Sequence, residues 1–141
     1  MSEKSGRCLC GAVQFTAVLT NNEVWVCHCK MCQRWAGGSF LAVGGTPETV
    51  FKGEDAIALY SSSEWMERGF CRCCGSPLFA RLKSDGSYHI PIGLLDDTEG
   101  LELTNEIYID RKPLLYSFAE KTHKMTEAEF LAMYAASQDK S

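Results

Sequence analysis

Long apolar runs are missing from this sequence. No segment of its 141 residues approaches the roughly 20 consecutive apolar residues that a membrane-spanning helix requires. Residues 1–7 are polar and contain no apolar stretch of the kind found in secretory signal peptides. Both absences lead us to expect a cytoplasmic protein with no membrane partner, in a compartment where thiols stay reduced.

An excess of basic residues is missing as well. The chain has 14 Lys and Arg against 18 Asp and Glu, for a formal net charge of −4. Nucleic-acid-binding domains usually carry a strongly positive surface, so we expect no nucleic-acid partner. Repeats, low-complexity tracts and linkers are absent too. We therefore predict one domain over residues 1–141.

Apolar residues recur mainly at the spacing of β-strands. Val13, Phe15 and Ala17 alternate with polar residues, which is typical of a half-buried strand. Further short strands are expected at 24–26, 39–43, 49–53, 57–60, 66–70, 77–82, 88–94 and 103–110. Pro91 cannot donate to a sheet ladder, so we expect its strand at an edge or bulge. Thr126 with Glu129 forms a capping box, which predicts a short C-terminal helix over about 126–137. The fold is therefore predicted to be mostly β and largely antiparallel.

Cysteine is the abundant residue type that carries chemistry. Eight cysteines fall into three clusters, which comprise Cys8 and Cys10, then Cys27, Cys29 and Cys32, and finally Cys71, Cys73 and Cys74. A secreted protein with four disulfides is an alternative, but the CxC spacing and the lack of an export signal argue against it. Thiolates spaced as CxC or CxxC can reach one ion together, and they favour zinc.

The number of available thiols divides the clusters into two kinds of site. A structural zinc takes four protein ligands, whereas a catalytic zinc takes three and keeps one position open. The first and last clusters supply a closed Cys₄ site from Cys8, Cys10, Cys71 and Cys74. The middle cluster supplies three thiolates from Cys27, Cys29 and Cys32. We therefore predict two Zn²⁺ per chain, the second with an open position where catalysis would occur.

Two residues within the clusters are not needed as ligands. Cys73 is left over, and we expect a small half-buried residue rather than a ligand or redox partner. His28 lies between Cys27 and Cys29, where an extended backbone directs it away from both thiols. We expect it to support the site or lie at the surface rather than to bind metal.

The cysteine pattern resembles a known protein family. The matching segments are Cys8-x-Cys10-Gly11, Cys27-His28-Cys29-x-x-Cys32-x-Arg34-Trp35-x-Gly37, Arg68-x-Phe70-Cys71-x-x-Cys74-Gly75-Ser76 and Glu106-Ile107-Tyr108-Ile109-Asp110. Together they resemble the glutathione-dependent formaldehyde-activating and centromere protein V-like zinc proteins. The resemblance extends over roughly residues 5–118.

This resemblance implies a β-tent fold of antiparallel sheets joined at zinc sites, with the same division of ligands. It also implies a carbon–sulfur lyase that joins formaldehyde reversibly to glutathione as S-hydroxymethylglutathione. Glutathione carries two carboxylates, for which Lys30 and Arg34 are candidate contacts, although both could be ordinary surface charges. Trp35 could wall the substrate pocket or pack in the core, and Ser39 could hydrogen bond to substrate.

Three functions remain open from the residues themselves. An open zinc site can hold a substrate thiol as thiolate or polarise a carbonyl. Three anionic ligands give such a site a net charge of −1, which favours thiol capture. The alternatives to an enzyme are a non-enzymatic zinc module for protein interaction and a thiol redox switch. A fourth protein ligand at the middle cluster would favour the interaction module.

Overall fold

A computed structural model describes residues 2–139, which form two compact units. The first unit contains the chain up to Glu23 together with Ala42–Leu101. The second contains Val24–Leu41 and the chain from Glu102 onward. The expectation of one domain over the whole chain stays a prediction.

Strands dominate both units. The strands are β1 (Glu3–Arg7), β2 (Gln14–Cys27), β3 (Phe40–Gly45), β4 (Val50–Lys52), β5 (Ile57–Ser61), β6 (Met66–Cys71), β7 (Pro77–Leu82), β8 (Tyr88–Pro91), β9 (Glu102–Ile107) and β10 (His123–Met125). The helices are α1 (Lys30–Ala36) and α2 (Glu127–Asp139), with short 3₁₀ turns at Glu54–Ala56, Ile92–Leu94 and Ile109–Arg111. The predicted mostly β fold with a short C-terminal helix is confirmed.

Antiparallel pairing builds the first unit. Its strands follow the order β3-β8-β7-β6-β5, and β1 and β4 both pair with β2. The buried side chains of β2 in this unit alternate as the sequence predicts, with Phe15, Ala17 and Leu19 facing inward. The rings of Phe15 and Phe51 contact each other in a tilted arrangement, with centroids 5.6 Å apart. The centroid of Phe51 lies 5.2 Å from that of Phe79. These aromatic contacts form much of the first unit's core.

A parallel strand pair and two helices build the second unit. β9 and β10 pair in parallel, with Glu106 opposite Lys124 and Ile107 opposite Met125. α1 begins three residues after β2 ends, and α2 follows β10. The capping box of α2 is confirmed, since the Thr126 N–H donates to Glu129 Oε1 (2.9 Å) and the Glu129 N–H donates to Thr126 Oγ1 (3.2 Å).

Four predicted strands differ from the structure. The strand expected at Val13, Phe15 and Ala17 and the strand expected at 24–26 are one strand, because the exposed polar residues at 20–22 stay extended. β8 lies inside the sheet between β3 and β7, so the edge placement of Pro91 was wrong. Pro91 ends the strand, which limits the loss of ladder bonds. β9 ends at Ile107, and the expected continuation to Asp110 is instead a 3₁₀ turn.

Three short elements had no apolar pattern that could predict them. β1 is polar and mostly exposed, β10 has three residues, and α1 buries only Cys32 of its seven residues.

Among residues 2–139, no helix is long and apolar enough to cross a membrane.

Candidate metal centres

The first unit brings together the first and last cysteine clusters. The Sγ atoms of Cys8, Cys10, Cys71 and Cys74 all lie within 4.8 Å of one another. Cys10 Sγ is 3.7 Å from Cys8 Sγ and 3.8 Å from Cys71 Sγ. Four thiolates at Zn–S distances of about 2.3 Å would have Sγ atoms about 3.8 Å apart on a tetrahedron. The four residues therefore fit a zinc ion of the structural kind.

Two glycines turn the backbone so that the paired thiols converge. Gly11 (φ 82°) and Gly75 (φ 80°) have left-handed backbone conformations, which glycine adopts without a steric penalty. The Gly11 N–H donates to Cys8 O (3.2 Å), and the Gly75 N–H donates to Cys71 O (2.7 Å). Each cysteine pair thus lies on a tight turn of similar form.

Backbone and hydroxyl donors surround the sulfurs of this Cys₄ cluster. The Val13 N–H lies 3.4 Å from Cys8 Sγ, and the Ala12 N–H lies 3.5 Å from Cys10 Sγ. Hydrogen bonds from the side chain and the backbone of Ser76 lower the pKa of Cys74 to about 5. Donors directed at sulfur favour thiolates, the form that binds metal.

Cys73 lies apart from the Cys₄ cluster. Its side chain is exposed, so the half-buried position that we expected for it was wrong. In this tight turn the thiols of Cys71 and Cys74 converge, while the intervening Arg72 and Cys73 are exposed. Cys73 is therefore a useful control residue for experiments on the other cysteines.

The second unit holds the middle cluster. The Sγ atoms of Cys27, Cys29 and Cys32 lie within 4.8 Å of one another, and no fourth His, Cys, Asp or Glu among residues 2–136 joins them. Cys27 ends β2, Cys29 caps α1, and Cys32 lies in the first turn of α1. Cys27 and Cys29 are half-buried and Cys32 is buried. This Cys₃ cluster offers three ligands and partial access from solvent.

The thiols of the Cys₃ cluster lie so close together that a bound cation would be needed for all three to ionise. The neighbouring thiols of Cys29 and Cys32, together with burial, raise the pKa of Cys27. Like charges this close resist ionising together unless a cation compensates them. The Cys32 N–H also donates to Cys29 Sγ (3.3 Å). The chemistry of this donor set therefore fits a soft divalent cation such as zinc.

His28 does not complete the Cys₃ cluster. Its side chain is fully buried, and its Nε2 lies 2.8 Å from Glu106 Oε1. The surface position that we expected as one alternative for His28 was wrong, and the alternative that His28 supports the site stays a prediction. The partner could not be predicted, because Glu106 lies 78 residues further along the chain.

Glu106 is itself almost fully buried, with 1% of its surface exposed. Burial opposes ionisation, but hydrogen bonds from Thr122 and His28 and the nearby Lys124 ammonium hold the pKa of Glu106 below its usual range. An ionised carboxylate accepts hydrogen bonds only, so His28 Nε2 carries a proton and donates. Both residues lie in segments that resemble the family, but nothing in the sequence indicated that they contact each other.

The predicted substrate contacts lie on or near α1. Lys30 and Arg34 are exposed on that helix. Trp35 is half-buried and packs edge-on against Phe40, with ring centroids 5.7 Å apart, which agrees with core packing. Ser39 hydrogen bonds through its hydroxyl to the hydroxyl of Tyr116. The roles of these four residues in substrate binding stay predictions.

Two tyrosines of the second unit were not predicted as site residues. Tyr108 has a left-handed backbone (φ 57°), which is unusual for a residue other than glycine. Burial, followed by the charges of Cys29 and Cys27, raises the pKa of Tyr108 to about 12. Tyr116 bonds to Ser39, and its ring centroid lies 6.4 Å from that of His28. Tyr108 therefore lies near the Cys₃ thiols, and Tyr116 lies beside His28.

Comparison with known proteins adds a family to this geometry. Residues 3–111 match the family described as "Glutathione-dependent formaldehyde-activating enzyme". A protein of Schizosaccharomyces pombe named an uncharacterized lyase is 33% identical over 132 residues, covering 93% of this chain and 96% of the relative.

One further relative and one solved structure match a smaller share of this chain. A Podospora anserina protein that carries the family's name is 28% identical over 88 residues, which cover 59% of this chain and 41% of that protein. The chain therefore spans less than half of that relative. A crystal structure of a Rhodobacter sphaeroides protein is similar with a TM-score of 0.57 and 26% identity, over 70% of this chain and 90% of that one.

Proposed function

The chain belongs to the glutathione-dependent formaldehyde-activating enzyme family, and on this premise we propose that it is a zinc-dependent carbon–sulfur lyase. Its substrates would be thiol–aldehyde adducts such as S-hydroxymethylglutathione. Cleavage of that adduct breaks the C–S bond, turns the hydroxymethyl group into formaldehyde, and releases the glutathione thiolate and one proton. The reverse reaction joins the same two molecules.

The observation that carries this proposal is the Cys₃ cluster. Cys27, Cys29 and Cys32 would hold the ion, and among residues 2–136 no fourth ligand of the usual types lies with them. A zinc ion bound there would keep the substrate sulfur as a thiolate at neutral pH. The half-buried position of Cys27 and Cys29 leaves a route for a small thiol.

Other side chains would bind and orient the adduct. The exposed Lys30 and Arg34 suit the carboxylates of glutathione, and both lie on the helix that also carries Cys32. The hydroxyls of Ser39 and Tyr116 already hydrogen bond to each other, so they could exchange that bond for one to the hydroxymethyl oxygen. The raised pKa of Tyr108 keeps its hydroxyl protonated at neutral pH, as a donor.

We also propose a second zinc ion at Cys8, Cys10, Cys71 and Cys74, where it would stabilise the fold. The spacing of the sulfurs near 3.8 Å and the donors directed at them support this assignment. Two zinc ions per chain by elemental analysis would agree with the full scheme, whereas one would mean that the Cys₃ cluster holds zinc weakly.

The lyase activity can be tested with purified zinc-loaded protein. We expect faster exchange between formaldehyde plus glutathione and S-hydroxymethylglutathione than in buffer, measured by NMR exchange spectroscopy. Cys32→Ser should abolish the acceleration because it removes a ligand, and Cys73→Ser should retain it because Cys73 is exposed and outside both clusters. No acceleration with several thiols, in protein confirmed to hold zinc, would count against an enzyme and favour the interaction module.

A further inference from the structure

His28 lies between two cysteines of the Cys₃ cluster in the sequence, and its buried side chain bonds to the buried Glu106. We infer that Glu106 acts through His28 as a positioning residue, which fixes the Cys27-His28-Cys29 segment and thereby sets how tightly the Cys₃ cluster binds metal. This inference rests on the proposed metal at that cluster.

His28 is held at three points. Its backbone N–H donates to Ile107 O (3.1 Å), its carbonyl accepts a bond from Gln33 Nε2 (2.7 Å), and its Nε2 bonds to Glu106 Oε1 (2.8 Å). The backbone and side-chain anchors from β9 come from consecutive residues, Glu106 and Ile107. A residue tied in this way to a strand and a helix has little freedom to rotate.

Glu106 is the main polar anchor of the His28 ring. Among the described residues, His28 Nδ1 has no hydrogen-bond partner, and the nearest rings are Tyr116 and Phe118, with centroids 6.4 Å and 6.1 Å away. Removing the Glu106 carboxylate would leave a fully buried imidazole without a hydrogen bond, which is unfavourable in an apolar surrounding. The ring and its backbone would then shift to recover a partner.

Glu106 is itself fixed in place. Its Oε2 accepts a hydrogen bond from Thr122 Oγ1 (2.5 Å) and lies 3.8 Å from Lys124 Nζ. Thr122 and Lys124 flank the start of β10, the strand paired with β9. Thr122 and Lys124 thus hold the Glu106 carboxylate in place. The hydrogen bond between this carboxylate and His28 therefore has one defined direction.

Fixing His28 fixes two of the three thiols. Because residues alternate in an extended segment, a buried His28 directs Cys27 and Cys29 to the opposite side. Cys32 is positioned separately by α1. Loss of the Glu106 anchor should therefore misplace Cys27 and Cys29 together. Substitutions that disturb the groups supporting metal ligands typically weaken binding by about ten- to a hundredfold.

The test is metal affinity, measured with Co²⁺ as the probe on the full chain. Chelator competition, followed by thiolate-to-metal absorption, gives the affinity of each cluster. We expect Glu106→Ala to weaken binding at the Cys₃ cluster about ten- to a hundredfold and to leave the Cys₄ cluster unchanged. Glu106→Gln should recover most of the affinity, because its amide oxygen can still accept from His28 Nε2. Glu102→Ala is the matched control, since Glu102 is exposed on the same strand.

A second variant covers the case in which Glu106→Ala does not fold. Thr122→Val removes one bond to Glu106 without touching His28, and we expect binding several times weaker at the Cys₃ cluster. Wild-type affinity in the folded variants, with a lower melting temperature alone, would overturn the inference and leave the proposed function standing. If wild-type protein binds no second ion, both the proposed metal site and this inference fail.

Discussion

The two cysteine clusters differ in the number of thiols and in how the chain supports them. The Cys₄ cluster is closed by two glycine turns within the first unit and contains the fully buried Cys71. The Cys₃ cluster joins the end of a strand to the start of a helix and relies on a buried His–Glu pair. A set that saturates a tetrahedral ion can stabilise a fold, whereas an unsaturated set keeps a place for substrate.

The difference also concerns local and distant support. Backbone donors close in sequence, from Ala12 and Val13, serve the sulfurs of the Cys₄ cluster. Next to the Cys₃ cluster, His28 bonds to Glu106, which is far away in sequence, and we infer that this bond supports the cluster. We therefore expect the two clusters to respond differently to the loss of a ligand, of metal and of a structural support.

The largest effect is expected for Cys71→Ser. Losing a ligand of the structural ion should reduce the free energy of unfolding by about 3–5 kcal/mol, or on the order of 10 °C in melting temperature. Cys32→Ser should reduce it by only about 1–2 kcal/mol, because its metal mainly serves catalysis. Thermal denaturation followed by circular dichroism measures both, with Cys73→Ser as the control. Equal losses for Cys71→Ser and Cys32→Ser would contradict the distinction between structural and catalytic sites.

A smaller, graded effect is expected on metal removal. The Cys₃ cluster should lose its ion first to a chelator such as EDTA, since three ligands and partial exposure hold metal less firmly than four ligands. Lyase activity should then disappear while the circular dichroism spectrum stays close to that of the loaded protein. Simultaneous loss of both ions and of the fold would contradict the prediction that the Cys₃ cluster holds its ion less firmly than the Cys₄ cluster.

The smallest effect is expected for Thr126→Ala. This substitution removes the capping box of α2 in the second unit, at a cost of about 1 kcal/mol. Hydrogen exchange should increase in the first turn of α2, while Co²⁺ affinity at the Cys₄ cluster in the first unit remains unchanged. A changed Co²⁺ affinity at the Cys₄ cluster would show that the effect of Thr126→Ala is not limited to α2. Thr104→Ala, elsewhere in the second unit, provides a comparison substitution away from the cap.

Much of the fold could be predicted, because alternation and capping are local properties. Phe15 and Ala17 are inward as expected, and Thr126 and Glu129 form the expected box. β1 was missed because its pairing with β2, rather than its own apolar content, holds it extended. Pro91 was misplaced because the sequence does not reveal which strands flank it.

The cysteine spacing was enough to predict which thiols could converge, since CxC and CxxC limit the distance between neighbours along the chain. The sequence was also enough to assign the family, because residues 3–111 match the family. That Cys73 is exposed and that His28 is buried against Glu106 became clear from the tertiary structure alone. Burial and hydrogen-bond partners depend on contacts between residues far apart in sequence, and local spacing carries no information about those contacts.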